Sequence, residues 1–391
     1  IQMLKQLLKY EFKATKSLYF GLYLALALLS VVLGVTFRQE HALAHSTSFQ
    51  NLEVILMIVY VSVILAIAGF SPGKAYLAML NGAFSSARHI GDLLEYAMVL
   101  CLCGLACVLG ARVGIFNVGG EGQLLLGAIV ACQVGVWLDG LTPWLVLPLA
   151  ALAAMAAGGL YALIPGVLKV KVKVNEVITT IMLNTVAASF CQYLAKGPWK
   201  HANKNMVAAT EQLNARYWFG GLIGGSNLST AILAAAVLAL VIWYVMQKTS
   251  RGYEMKLTGQ NERFARFIGI RTDRLVLVCM LLSGALCGLV GMFRVYGAEH
   301  LFRDSISRDY YFEGLMVAMI ARYQPLAVVF LSLFFAALKI GAQGMELAAG
   351  VPNQIYLIIQ TVVIFLMAAE SGLFGALQNR VRKGKEAEKH A

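Results

Sequence analysis

The sequence predicts an all-α polytopic membrane protein with about ten transmembrane helices and one short re-entrant or broken helix. Of the 391 residues, 59% are hydrophobic and only 13% are charged, and the mean hydropathy is +0.72. Soluble domains average about 45–50% apolar and about 25% charged residues. The apolar residues form long runs instead of the short alternating segments of a membrane β-barrel, so helices are the predicted spanning elements.

Ten apolar runs approach the roughly 20 residues that a helix needs to cross a bilayer. They lie near residues 18–36, 53–70, 94–112, 118–138, 144–164, 176–195, 227–247, 275–297, 324–345 and 353–371. A further run at 312–321 is too short to cross alone and is predicted to be the re-entrant helix. We divide the chain into an N-terminal extension whose first span is left open, a transmembrane domain and a basic tail, at 1–52, 53–371 and 372–391.

Basic residues set the predicted orientation. The net charge is +12, and Lys and Arg cluster between the spans, as they do in cytoplasmic loops. The loop 248–274, the short loop around Lys171 and the C-terminal tail are therefore predicted to be cytoplasmic, and no nucleic-acid partner is needed to explain the charge. The loop 196–226 then lies outside, as part of a docking surface or as a solvated loop. Counting back puts the basic N-terminus outside, against the rule.

The seven cysteines all lie in apolar segments and form no C-x-x-C pair. Small buried side chains are the prediction. Cys103 and Cys107 lie one helical turn apart, but no His, Asp or Glu lies beside them to complete a metal site. The sequence predicts no metal ligand and no bound cofactor.

The first polar motif, FNVGGEGQLLLGA, begins at Phe116 and places Asn117, Glu121 and Gln123 at the start of an apolar run. A carboxylate in the membrane is costly and usually faces a bundle interior or an aqueous pathway. The surrounding glycines allow an unwound turn or close helix contact. We expect a broken helix entry beside a transport path, and the alternative is that Glu121 caps a helix N-terminus at the membrane surface.

The second motif, VKVNEVITTIMLNTVA, covers residues 172–187. Glu176, Thr180 and Asn184 are spaced at i, i+4 and i+8, which places them on one helix face, while Asn175 and Thr179 lie beside that face. One polar stripe on an apolar span is typical of a pore-lining helix. Polar packing between helices is the alternative.

The third motif is the basic loop 248–274, in which apolar residues alternate with charges. It predicts short amphipathic helices with a turn at TGQN. An apolar face with a charged rim favours contact with a partner protein, and a helix lying on anionic lipid is the alternative.

Two segments recur within the chain. EGQLLLGAIVA at Glu121 is similar to EGLMVAMIA at Glu313, and NEVITTIML at Asn175 is similar to NQIYLIIQT at Asn353. By the charge-based count the members of each pair cross in opposite directions. Inverted repeats with central broken helices are common in transporters, so Glu313 joins the candidate pathway residues.

The chain also lacks motifs of other function classes. SPGKAY at 71–76 lacks the first Gly and the final Ser or Thr of a P-loop, and neither G-x-S-x-G nor H-E-x-x-H occurs. We therefore predict a transporter without an ATPase motif, not an enzyme. A stand-alone secondary carrier that uses Glu121 and Glu176 for proton coupling is the rival class.

Five motifs together resemble the permeases of branched-chain amino-acid/ribose-type ABC importers, and the nucleoside-type branch is the most similar. They are FNVGGEGQLLLGA, VNEVITTIMLN, TSRGYEMKLTGQNERFARFIGI, SGALCGLVGM and YYFEGLMVAMI, and the resemblance covers roughly residues 70–370. The chain departs from the family at Glu262, where a Pro is usual, at Ala321, where a Gly is usual, and in its long N-terminus.

The resemblance implies a permease subunit of the bacterial inner membrane that imports a nucleoside. Separate ABC ATPase subunits would use ATP, a second permease, the same chain or a related one, would complete the pathway, and an extracytoplasmic binding protein would deliver the solute. A simple sugar or a riboflavin-like compound is the alternative substrate. The candidate pathway residues are Asn117, Glu121, Gln123, Asn175, Glu176, Thr179, Asn184 and Glu313. The candidate ATPase-coupling residues are Arg251, Gly252, Glu254, Gly259, Asn261, Arg263, Arg266 and Gly269.

Overall fold

The computed structural model describes residues 69–201 and 209–352, with a few further positions between 59 and 66 and between 357 and 361. The chain divides into two compact units, residues 84–340 and a second unit drawn from residues 1–83 and 341–391. The described residues are mostly helical, and their only β pairings are isolated bridges.

Eleven α-helices occur in the described residues. They are α1 (Pro72–Phe84), α2 (Ala87–Ala111), α3 (Gly120–Trp137), α4 (Pro143–Val167), α5 (Glu176–Lys196), α6 (Ala231–Lys248), α7 (Ser250–Gln260), α8 (Glu262–Phe267), α9 (Thr272–Arg294), α10 (Tyr310–Ile320) and α11 (Pro325–Ala349). Two of them continue into a π-helical turn, α4 through Leu168–Val172 and α9 through Val295–Glu299.

Seven of these helices are long and apolar enough to cross a membrane, namely α2 to α6, α9 and α11. Each matches one predicted span, and α10 matches the short run predicted at 312–321. The predicted count of about ten is not confirmed, because the run at 18–36 lies outside the described residues and those at 53–70 and 353–371 lie mostly outside them. The sequence did not predict α1, since its 13 residues include Lys74 and Asn81 and are too short for a span.

Several helices begin at polar residues that accept backbone hydrogen bonds. Ser86 accepts from the His89 N–H at the start of α2, and Asn175 accepts from the Val177 N–H at the start of α5. Asn261 separates α7 from α8 and accepts from the Phe264 N–H. Such caps satisfy the free N–H groups of a first turn, so the sequence determines these boundaries locally.

Three helices, α2, α3 and α9, form the centre of the first unit. Their apolar windows are 94%, 78% and 78% buried, whereas those of α4, α5 and α6 are only 28%, 22% and 17% buried. Glycines bring the backbones of α3, α4 and α9 together. A side chain on Gly127 of α3 would collide with Gly288 of α9, and one on Gly158 of α4 would collide with the Gly284 carbonyl of α9. Close backbone approach at small residues is the usual basis of helix packing in membranes.

The loops gather on two sides of the first unit. On one side, Val113, Met255 and Leu275 pack in one cluster, with Val170 against it. On the other side, the Tyr217 hydroxyl bonds to the backbone at 138–141. Both basic loops thus lie on the first side, which we call the inner side after the charge-based prediction; the opposite side is the outer side.

The described part of the loop 196–226 is packed against the protein. The Leu213 N–H donates to the His300 carbonyl at 2.9 Å, and the Phe219 N–H donates to the Tyr296 carbonyl at 2.9 Å. Tyr217 is fully buried, and the Trp218 ring stacks on the His300 ring. This loop therefore contacts the outer end of α9 through a few buried residues, while most of its described residues are exposed.

Candidate functional site: the junction of two broken helices

Two helices, α3 and α10, begin inside the protein and meet at their N-termini. The extended segment that precedes α3 is buried at Ile115 and Asn117. The Tyr311 N–H in the first turn of α10 donates to Glu121 Oε2 at 3.1 Å, and the Tyr311 hydroxyl donates to the Asn117 carbonyl. From this junction α3 runs to the outer side, where Trp137 contacts Trp199. In contrast, α10 runs to the inner side.

Glu121 caps the N-terminus of α10 from the first turn of α3. Its carboxylate accepts the Tyr311 N–H, and the Ser307 hydroxyl lies beside it. An anion at a helix N-terminus is favoured by the free N–H groups and the helix dipole. Since Glu121 is only 7% exposed, it joins two protein elements and does not line an open surface.

Asn117 and Gln123 form a reciprocal pair of amide hydrogen bonds, at 2.9 and 3.0 Å. Asn117 also accepts the Gly119 N–H and donates to the Ser283 hydroxyl, which in turn donates to the Ala106 carbonyl. The extended segment before α3 is thereby tied to α2, α3 and α9. Asn117 and Gln123 are buried, and these contacts occupy their amides.

The polar face of α5 contacts the same junction. Asn184 accepts the Gly122 N–H and donates to the Val118 carbonyl, both at 2.9 Å, and Thr180 packs against Gly119. The spacing of these two residues therefore does place them on one helix face, and that face supports the start of α3.

Three further candidates are engaged at the inner end of α5. Asn175 caps the helix, Thr179 donates to the Asn175 carbonyl, and Glu176 forms an ion pair of 2.6 Å with Lys169. Their side chains bond at the inner end of α5, whereas Asn184 bonds to the start of α3. The Thr180 hydroxyl adjoins both groups, since it also donates to the Glu176 carbonyl at 2.7 Å. The structure thus divides the predicted pathway residues into a junction set and a capping set.

The final pathway candidate, Glu313, lies one turn into α10. It accepts from the Tyr96 hydroxyl at 2.5 Å and from Lys339 Nζ at 3.0 Å. Sequence reasoning missed these two partners, and it also missed the buried ion pair between Glu95 and Arg294. A usable signal was present, since each of these charged residues lies within an apolar run, where charges are rare and usually functional.

The predicted coupling loop folds as α7 and α8, with the break at TGQN as predicted. A side chain on Gly259 would collide with the Arg112 carbonyl, and one on Gly252 would collide with the end of α6. Arg251 pairs with Glu254 at 2.9 Å. Both glycines therefore allow the loop to pack closely against the end of α6 and the backbone at Arg112.

The rest of this loop is tied by charges and leaves aromatic side chains exposed. Arg266 pairs with Glu262 at 2.8 Å and with Asp273 at 2.5 Å, and Gly269 has a φ of +90° that favours glycine. Tyr253 is 63% exposed, and Phe267 is 88% exposed. Arg263 is exposed on α8 between Asn261 and Phe267. An exposed aromatic residue among charges is typical of a protein contact.

Comparison with known proteins identifies the family of this chain. The family described as branched-chain amino acid transport system / permease component matches residues 89–368. The guanosine ABC transporter permease protein NupP of Bacillus subtilis (strain 168) is 30% identical over 335 residues, which cover 85% of this chain and 96% of the relative. The glucose ABC transporter permease protein TsgB13 of Haloferax volcanii is 33% identical, covering 82% of this chain and 86% of the relative.

A third relative, the nucleoside ABC transporter permease protein NupB of Lactococcus lactis subsp. cremoris, is 30% identical, covering 79% of this chain and 87% of the relative. No solved structure matches the chain significantly. The family match covers well over half of the sequence, and seven helices are fit to cross a membrane. The chain therefore belongs to the family of branched-chain amino acid transport permease components, and it is a multi-pass membrane protein.

Proposed function

We propose that this chain is the permease subunit of a bacterial inner-membrane ABC importer for nucleosides. The observation that carries the proposal is the 30% identity to a guanosine permease over nearly the full length of that relative. A nucleoside permease from a second organism supports the same substrate class. A second permease, separate ATPase subunits and an extracytoplasmic binding protein complete the importer.

The surface of α7 and α8 is the proposed ATPase contact. This surface lies on the inner side, and it is basic. Phe267 is exposed on it, while Gly252 and Gly259 pack against the rest of the protein. An exposed aromatic residue of this kind is a typical interface anchor. Phe267 was absent from the sequence-based coupling set, which named the charges and glycines around it.

We assign the predicted pathway residues to a supporting role. Asn117, Glu121, Gln123 and Asn184 hold the first turns of α3 and α10 in register, and they shape the pathway without binding the solute. The helices α3 and α10 run in opposite directions, and each carries a Glu-Gly pair near its N-terminus. Both features support the inverted-repeat hypothesis for this pair. The second pair of the repeat joins the segments at Asn175 and Asn353, and Asn353 lies outside the described residues.

Uptake into proteoliposomes tests the function. The complex of this chain with its ATPase and binding protein should accumulate labelled guanosine only with internal ATP. Glucose uptake instead would establish the sugar alternative, which the Haloferax volcanii relative favours. Guanosine uptake that needs no ATPase and stops with an uncoupler would establish the proton-coupled carrier and refute the ABC assignment.

Pull-down of the ATPase tests the contact surface. Phe267→Ser should reduce ATPase recovery while the permease itself stays folded, because an exposed residue contributes little to stability. Trp144→Ser is the matched control, since Trp144 is 91% exposed but lies at the start of α4, on the outer side. Unchanged ATPase recovery with Phe267→Ser would refute the assignment of this surface.

A further inference from the structure

A buried ion pair links α2 and α9 beside the first turn of α10. Arg294 of α9 is 4% exposed and pairs with Glu95 of α2 and, at 3.0 Å, with Glu299. Its guanidinium also lies over the Tyr310 ring, 5.1 Å from the ring centroid. The first residue of α10 is thus held against a buried cation.

The contacts continue from Tyr310 to a second ion pair. The Tyr96 and Tyr310 rings pack edge to face, with their centroids 5.4 Å apart. The Tyr96 hydroxyl donates to Glu313. Lys339 of α11 pairs with the same carboxylate at 3.0 Å. The first turn of α10 is therefore bound by charged or aromatic side chains of α2, α9 and α11, in addition to Glu121 of α3.

The backbone on both sides of α10 is strained. Six non-glycine residues have a positive φ in the described part of the chain, and four of them flank α10: Arg308, Asp309, Arg322 and Tyr323. Such a conformation costs about 1–2 kcal/mol per non-glycine residue. Strain of this kind persists where surrounding contacts over-determine it, and it concentrates at functional sites.

We propose that Arg294 and Glu95 are positioning residues that hold α10 in the conformation seen here, and that their ion pair opens during solute translocation. The second half of this inference rests on the proposed transport function. Well-packed apolar residues often stabilise a protein as much as a buried ion pair does, so stability alone does not explain two costly charges in the membrane. An ion pair that opens during solute translocation, next to a helix with strained flanking residues, explains why both charges are present.

The thiol of Cys103 reports the position of α10. Cys103 is fully buried on α2, and it packs against Gly314 of α10, where any side chain would collide with it. Movement of α10 therefore uncovers Cys103. Cys191 of α5 is also buried. It serves as the internal control, because the charged and aromatic side chains described above as binding α10 come from α2, α9 and α11 and not from α5.

The first experiment compares N-ethylmaleimide labelling of individual cysteines by mass spectrometry in the purified full chain. The double variant Glu95→Gln/Arg294→Gln removes both charges of the pair, and Glu299 keeps its contact with Arg308 at 3.5 Å. We expect Cys103 to react about tenfold faster than in the wild type, as expected for local opening, and Cys191 to be unchanged. The pair Arg88→Gln/Asp92→Asn is the matched control, because it breaks a partly exposed ion pair on the same helix while the new amide oxygen can still accept the Asn227 N–H. It should leave Cys103 unchanged.

Equal labelling of Cys103 in the double variant and the wild type would overturn the inference. A parallel rise at Cys103 and Cys191 would overturn it as well, because it would show general unfolding. The single variant Arg294→Lys keeps the positive charge but lacks the two-armed guanidinium. Cys103 should therefore react more slowly in Arg294→Lys than in the double variant.

The second experiment tests the opening step in the complete importer. Cys103 of the wild type should label faster during ATP-driven turnover than at rest, and the double variant should transport less solute per ATP hydrolysed. Labelling that does not change with turnover would overturn the opening step. If the wild-type complex imports no nucleoside at all, the proposed function fails, while the labelling of the resting chain still decides the positioning role.

Discussion

Replacement of Glu121 removes the acceptor for a backbone N–H at the start of α10. Glu121→Ala leaves the Tyr311 N–H buried and without its partner at 3.1 Å. A buried donor left unsatisfied costs about 1–3 kcal/mol, and the lost interaction with the helix dipole adds roughly 0.3–1 kcal/mol. We therefore expect Glu121→Ala to destabilise the chain by about 1–4 kcal/mol.

Glu121→Gln is the matched control, because its amide oxygen can still accept the Tyr311 N–H. Only the charge is lost, which corresponds to roughly 0.3–1 kcal/mol. In a thermal unfolding measurement in detergent, 1 kcal/mol corresponds to about 2 °C for a chain of this size. Glu121→Ala should lower the Tm by roughly 2–8 °C and Glu121→Gln by no more than about 2 °C.

Nucleoside uptake separates this capping role from proton chemistry. We expect Glu121→Gln to transport nearly as well as the wild type and Glu121→Ala to transport less, with the loss following the fall in Tm. If both variants are inactive while both are as stable as the wild type, Glu121 acts through its charge or its proton. That result would refute the capping argument and favour the secondary carrier.

Three further predictions follow from the packing. Gly288→Ala should lower the Tm although Ala favours helix by about 1 kcal/mol, because the new Cβ collides with the Ala154 carbonyl and overpacking costs about 1–3 kcal/mol; a raised Tm would contradict this. Asn184→Ala should lower the Tm by about 2–6 °C, since it leaves the buried Gly122 N–H at the start of α3 without its partner, whereas Asn184→Asp, which keeps that acceptor, should lower it less. Burial lowers the pKa of His300 below its ordinary 6.5, and Glu299 opposes this effect, so stability should fall as the pH drops through 6.5 towards the lowered pKa; His300→Gln should flatten that part of the Tm–pH curve, and an unchanged curve would contradict the burial argument.

Local sequence patterns predicted the elements of the structure well. Apolar runs predicted the seven candidate spans of the described residues, and the short run after Asp309 predicted α10. The turn at TGQN was predicted from the glycines that punctuate an amphipathic loop, and the structure shows Asn261 capping the helix that follows. These features depend on residues within one or two turns of each other, so no tertiary information was needed.

The candidate site was predicted only in part. Glu121 and Asn184 were recognised as polar residues in an apolar setting, but their partners come from α10 and from the turn before α3. The charges at Glu95, Arg294 and Lys339 were present in the apolar runs and were not used. Pairing between residues about 200 positions apart leaves no spacing pattern in a single sequence, so it could not be derived from one.

The sequence by itself determined the membrane location, the helical class and the positions of the basic loops between the spans, because hydrophobic transfer and charge distribution are additive properties of short segments. Only the tertiary structure decided that Glu121 caps α10 and that Asn117 and Gln123 satisfy each other. A buried polar group must find a hydrogen-bond partner, and which partner it finds depends on how the helices pack. Glycines such as Gly288 set that packing through the close approach of backbones, and the close approach places the junction of α3 and α10 within the protein.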